Sequence, residues 1–264
     1  TFFQQTTPGQ GLPIIRGLKG SQVLHMVDGI RLNNAFFRNA PNQYLGLVDS
    51  FATRRMEVVR GAHGSLYGAD AMGGVLNILT HEPDYNDLQW QQDSTLYGSY
   101  DSVDNGLVIN ARTQGGKLGW GFSGGVSYQD HDSRRSGTGK RLTPSGYTSK
   151  AADLKFLMDA GDYSSLMLSA QVMEQPSTPR YDELVAGYGQ DEPSAEQYLF
   201  EPNRRSMLHA RWRLDGQSVW FDLFEANLAR QVITDDRLTQ EYTSDVIITE
   251  HNASALDGLT LQFN

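Results

Sequence analysis

The chain has 264 residues, 39% of them apolar and 20% charged, with a net charge of −9 and no cysteine. Disulfide frameworks, zinc–thiolate sites and thiol nucleophiles are therefore excluded, and no run of about eighteen apolar residues is present to cross a bilayer as a helix. A transmembrane strand alternates between lipid and lumen, so a mean hydropathy of −0.47 leaves a β-barrel open.

The charge is uneven. Residues 1–83 carry seven Lys and Arg against five Asp and Glu, whereas residues 84–264 carry fifteen against twenty-six. An acidic surface repels phosphate backbones, so no nucleic-acid partner is expected. The sequence opens at Thr1 without a methionine or a charged-then-apolar leader, so any targeting segment is expected to be removed or not shown.

In chain order, residues 1–83 read as a small mixed globule with short buried strands. Val23–Val27, Met56–Val59 and Val75–Leu79 are apolar runs broken by glycine and turn residues, and Asp28-Gly29 is a hairpin-type turn. The glycines between Gly61 and Gly74 allow tight turns and close backbone approach. His25 lies in a buried-looking run and reads as a core histidine. His63 is a lone histidine among glycines, too little to specify a metal site.

From about residue 84 the grammar changes to alternation. Trp120, Phe122, Gly124, Val126 and Tyr128 share one face of a strand whose other face is small and polar. The pattern recurs at Ala152, Leu154, Phe156 and Met158, at Leu166 to Val172, at Leu208 to Leu214 and at Leu259 to Phe263. His209 falls on the polar, lumen-facing side. Short turns are expected at 114–117, 160–162 and 215–217, and long polar loops over roughly 131–150, 174–203 and 235–254. Short turns on one rim and long loops on the other describe an outer-membrane barrel, here of about eight strands.

A soluble β-sandwich also alternates. Against it stand aromatics near strand ends (Trp120, Tyr128, Trp212, Trp220), full charges on the inner face (Lys155, Arg211, Arg213), and loops of a length rare in compact domains. Catalytic lookalikes fail on spacing. Ser136–Arg141 has Arg134 where a phosphate loop begins with glycine, and Arg141 where it needs Ser or Thr. His81-Glu82-Pro83 lacks a second histidine, and Gly61–Ser65 misses the nucleophile-elbow pattern. No catalytic residue, metal site or cofactor is expected.

Five stretches then occur in order: Pro13–Gly17, Val27–Leu32, Met56–Gly61, Leu66–Gly68 and Gly73–Ile78. Together they resemble the plug of TonB-dependent outer-membrane receptors. The resemblance implies an α+β plug domain over 1–83, truncated at its N-terminus and lacking the family's energy-coupling segment. Residues 84–264 are then the first portion of an antiparallel transmembrane β-barrel. A barrel of about eight strands is filled by its own side chains, whereas plugged transporters need about 22, so the barrel is expected to be incomplete. Thr53-Arg54 stands where the family often has Ile-Glu, and Ala62 where it has proline, which puts a local turn and one ion pair in question.

The resemblance further implies import of a scarce, bulky nutrient across the bacterial outer membrane, foremost an iron chelate (ferric siderophore or haem), driven by the TonB inner-membrane complex. No enzymatic reaction is implied. By position the ligand loop would include Asn34, Phe36, Phe37, Arg38, Asn39, Gln43 and Tyr44, whose aromatics, arginine and amides suit a flat or anionic chelate. The aromatics could equally pack the plug core. Arg16, Glu57 and Arg60 resemble the family's plug–barrel ionic cluster. Two other classes compete: a passive porin or adhesin barrel with an N-terminal binding module, and a soluble carbohydrate-binding β-protein.

Overall fold

The computed structural model of the chain describes residues 2–4, 11–32, 44–84, 86–216 and 221–263. A short antiparallel pair, β1 (Phe2–Gln4) and β2 (Leu12–Ile14), precedes a mixed sheet of β3 (Val23–Val27), β4 (Ile30–Arg31), β5 (Thr53–Arg60) and β6 (Gly74–Thr80). Its spatial order is β4-β3-β6-β5, with β3 parallel to β6 and the outer pairs antiparallel. The hairpin expected at Asp28-Gly29 is present: both residues have positive φ (49° and 79°), and Val27 faces Ile30.

Apolar side chains of β3 and β6 make the core of this first unit. Leu32, Tyr44, Leu45, Leu47, Leu76 and Ile78 form one cluster together with Ile233 from the second half of the chain, and Leu24, Ala71 and Val75 form another. His25 is fully buried, and loss of solvent pushes its imidazole down to about 3, so it is neutral at physiological pH. β5 departs from expectation. Met56 and Val58 are exposed rather than buried, because β5 is the edge strand of its sheet. The glycine-rich stretch also holds one helical turn, α1 (Gly64–Tyr67), which alternation and turn signals did not reveal.

The second unit is a single antiparallel wall. Its strands are β7 (Gln91–Asp101), β8 (Gly106–Lys117), β9 (Trp120–His131), β10 (Tyr147–Gly161), β11 (Ser164–Gln175), β12 (Thr178–Pro179), β13 (Ala195–Asp215), β14 (Leu223–Glu241), β15 (Ile247–Glu250) and β16 (Ala253–Phe263). Neighbours follow chain order from β7 to β11, then β13 and β14. β12 extends the ladder beside β13, while β15 and β16 pair with successive parts of β14 and act as one strand broken at His251-Asn252. Eight long strands result, in line with the alternation.

Side-chain parity is as the sequence implies. In β10, Ala151, Lys155 and Leu157 are buried against the first unit, while Leu154 points outward. Leu96, Val126, Leu168, Leu208, Leu228 and Leu259 repeat the outward pattern. At the short-turn rim an aromatic belt forms: Trp90 contacts Trp120 and Phe122, Trp120 contacts Phe156, and Phe224 contacts Trp212 and Phe263. Trp220, expected in this belt, lies outside the described residues.

Strand limits differ from the sequence reading at both rims. The turn placed at 114–117 falls instead at Leu118-Gly119. The loop placed at 174–203 is strand in its last third, since β13 begins at Ala195, and the loop placed at 235–254 is largely strand, since β14 runs to Glu241. Backbone pairing continues beyond the apolar band, where outward residues turn polar and alternation stops marking it. β7 and β16 each have a neighbour on one side only.

At Gly74 (φ 152°) a β-carbon would sit 2.3 Å from the Val59 carbonyl oxygen. Gly74→Ala is therefore expected to destabilise the first unit by about 2 kcal/mol or more. Hydrogen exchange should speed up across β5 and β6 while the wall strands keep their protection. Unchanged exchange would contradict this packing.

Candidate functional site

The boundary between the first unit and the wall is polar, and its centre is Asp28. The positive φ of this residue aims its carboxylate out of the β3–β4 turn toward β10 and β11. Oδ1 accepts the Thr80 N–H (2.8 Å), and Oδ2 accepts the Thr80 hydroxyl (2.6 Å), Lys155 Nζ (3.2 Å) and Gln171 Nε2 (3.3 Å). The side chains of Asp28 and Lys155 are only 6% and 3% exposed. Burial alone would raise the Asp28 carboxyl, but the Lys155 ammonium and the Thr80 bonds outweigh it and hold the group below its ordinary 3.8. Glu82, just past β6, lies 3.7 Å from Lys155 and 3.3 Å from Arg211.

A second tier of amides lies behind this centre. Arg205, nearly fully buried, donates to Gln231 (2.8 Å) and Gln171 (3.1 Å), and Gln231 Nε2 donates to the Arg31 carbonyl (3.2 Å). Arg31 in turn pairs with Asp70 within the first unit. Farther toward the long-loop rim, Tyr44 donates its hydroxyl to Asp235 (3.0 Å), which Arg237 grips through two nitrogens. The Arg237 guanidinium also lies over the Phe200 ring. Ser127 donates to Asp49 (2.9 Å), whose carboxyl is pushed up by burial.

The sequence-predicted residues distribute differently. Asn34, Phe36, Phe37, Arg38, Asn39 and Gln43 lie outside the described residues. Tyr44 is buried, packs in the core cluster and bonds to the wall. Arg16 is exposed at φ 54°, its guanidinium lying over Gly61. Glu57 pairs with Arg55 at 2.8 Å, and the exposed Arg60 offers its carbonyl to His63. Among the described residues no ion pair joins these three to the wall, and all three are exposed. The anchors that sequence reasoning missed are the half-buried Gln171 and the buried side chains of Asp28, Arg205, Gln231 and Asp235. One signal could have found the wall members: each occupies the inward parity of its strand, where a polar residue needs a partner.

This arrangement can hold a globule against a wall and release it. The contacts are largely charged and amide groups that water can replace, beside an apolar contact where Ile233 of β14 joins the core cluster of the first unit.

Comparison with known proteins bears on the whole. Residues 1–75 match the family model described as TonB-dependent Receptor Plug Domain. The chain is 42% identical over 66 residues to the vitamin B12 transporter BtuB of Vibrio vulnificus strain YJ016, a match covering 25% of this chain and 10% of that protein. The copper transporter OprC aligns with 98% of this chain and 37% of its own, at a TM-score of 0.72 and 15% identity. A mutant ferric enterobactin receptor (PfeA) from Pseudomonas aeruginosa aligns at 0.68 and 17%, covering 98% of this chain and 41% of its own. The FrpB iron transporter of Neisseria meningitidis aligns at 0.72 and 16%, covering 99% and 41%. The chain thus spans about two fifths of these structures.

Lys155→Met, which strands the Asp28 carboxylate, is expected to weaken docking by about 3–5 kcal/mol, with most of the loss recovered in Asp28→Asn/Lys155→Met. Urea titration of the full protein, following plug exposure by protease cleavage, checks the cycle. Because the Asp28 pKa is depressed, its contribution is complete above the ordinary carboxylate value and is lost only as pH falls below it. Docking should therefore hold at pH 5 and loosen below about 4, and loosening already at pH 5 would contradict the assignment.

Proposed function

We propose that this chain, which carries the plug and the first barrel strands of an outer-membrane TonB-dependent receptor, serves import of a scarce, bulky metal chelate, foremost a ferric siderophore or haem. The observation that carries the reading is the docking surface itself: a globule held against a transmembrane wall by buried but hydratable contacts centred on Asp28 and Lys155. A plug that blocks a bore at rest and yields when pulled needs that kind of attachment. It also disfavours the passive porin or adhesin, which has no use for a releasable stopper.

In this reading the energy comes from the TonB inner-membrane complex acting on the plug from the short-turn side. Ligand is held on the opposite side by the segment containing Asn34, Phe36, Phe37, Arg38, Asn39 and Gln43. Arg16, Glu57 and Arg60, all exposed on the plug, would form its ionic cluster with the strands that complete the barrel. A corrinoid is the second reading, favoured by the 42% identity of the plug region to a vitamin B12 transporter.

Uptake by cells carrying the full-length gene tests this, with labelled ferric siderophores, haem and cobalamin compared. Energy-dependent accumulation of one of these is expected, abolished when the inner-membrane partner is deleted. Phe36→Ala/Arg38→Ala should weaken binding of that ligand by about tenfold or more, on the scale of a lost stacking and charge-assisted contact. Conductance without energy coupling, together with no uptake of any class, would establish a passive pore instead.

A further inference from the structure

We infer that the outer face of the wall carries a docking groove for one anionic lipid of the outer leaflet, with Arg204 and Arg230 as its phosphate ligands. The reasoning starts from position. Arg230 follows Phe224 by six residues along β14, and Arg204 precedes Trp212 by eight along β13. At about 3.3 Å per residue and a tilt of roughly 40°, the two cations stand about 15 and 20 Å above the aromatic belt. The apolar band of such a wall is about 25 Å tall, so both lie within its upper part. Both face outward: Arg230 is flanked by the buried, inward Ala229 and Gln231, and Arg204 by the inward Asn203 and Arg205.

Neither guanidinium is satisfied by the protein. Arg230 reaches Asp257 on β16 through one terminal nitrogen, at 3.3 and 3.4 Å. Arg204 Nε is 3.9 Å from Glu174, beyond hydrogen-bonding distance. Their remaining N–H groups have no partner among the described residues. At the upper edge of the apolar band, lipid phosphates and esters are acceptors within reach of such a fork, and a planar guanidinium matches phosphate through two bonds. Lys150, exposed on the same face, adds a third cation against the two acids.

Shape supplies the rest of the site. Two connected grooves of about 530 and 600 Å³ run along this face. Leu154 and Leu208 stand as ridges, Ala170 forms part of the floor, and Arg230 lines both grooves. A floor of small residues between leucine ridges accommodates an acyl chain, with the arginines where its headgroup would lie. The occupant is therefore an acylated, phosphorylated lipid rather than a second copy of the chain, which would bring its own unsatisfied cations to the contact.

The test uses the full-length receptor, delipidated and returned to nanodiscs of zwitterionic lipid, with diphosphorylated lipid A as the probe and retained lipid counted by native mass spectrometry. Wild type should retain one more lipid A than Arg204→Gln/Arg230→Gln, whose apparent affinity should fall by about tenfold or more. Dephosphorylated lipid A should bind wild type as weakly as the intact probe binds the variant. The substitution removes charge from an apolar band, so the barrel should keep its heat-resistant migration, and Leu154→Ala/Leu208→Ala tests the groove independently. Equal retention by wild type and both variants would overturn the site. Displacement of the lipid by inorganic phosphate, or a dimer that dissociates in the arginine variant, would overturn the identity of the occupant. None of these outcomes depends on which nutrient is transported.

Discussion

Every peptide group that enters hydrocarbon must find its hydrogen-bond partner within the protein. The wall meets this between its strands through antiparallel ladders from β7 to β16, interrupted by local register shifts and by the break at His251-Asn252, and the requirement propagates through the rest of the structure. A sheet edge in lipid needs a partner, and the glycine-rich unit packs against the inward face of the wall through Asp28, Tyr44 and Asp49. Polarity follows from the same logic. Inward residues face a plug and water, so Lys155, Arg205 and Asp235 are tolerated there, whereas Leu154, Leu208 and Leu228 occupy the opposite parity.

The contact between plug and wall resolves a conflict between sealing and release. An apolar seam would seal well but would expose its surface to water on separation. Buried charges gain little net stability once their desolvation is counted, yet they specify one docking geometry. Asp28 shows how this is built. Its carboxylate is bonded by Thr80 within the plug, which fixes its direction, and by Lys155 and Gln171 from two wall strands, which fixes the plug. The turn that presents it requires positive φ at two successive residues, and Asp-Gly satisfies this at low steric cost.

Much of the wall was legible in the residues. Strict alternation in β9, β10, β11 and β13 located the strands and their lipid side, because a period of two projects directly onto two faces. Legibility failed where that projection loses contrast. The upper parts of β13 and β14 read as loops, since outward residues there are polar while the ladder continues. β5 read as buried from its Met and Val content, yet edge position rather than composition sets its exposure. The helical turn Gly64–Tyr67 left no periodic trace because it is shorter than one repeat of the pattern.

The sequence by itself determined the order of motifs, the parity of each strand and the hairpin at Asp28-Gly29, all of which depend on neighbours along the chain. Tertiary structure alone decided that Asp28 meets Lys155 across 127 positions and Tyr44 meets Asp235 across 191. It also decided that Glu57 pairs with Arg55 of its own strand rather than with the wall. Such pairings are fixed by strand register and by the seating of one unit against another, and no local propensity encodes the distance between residues so far apart.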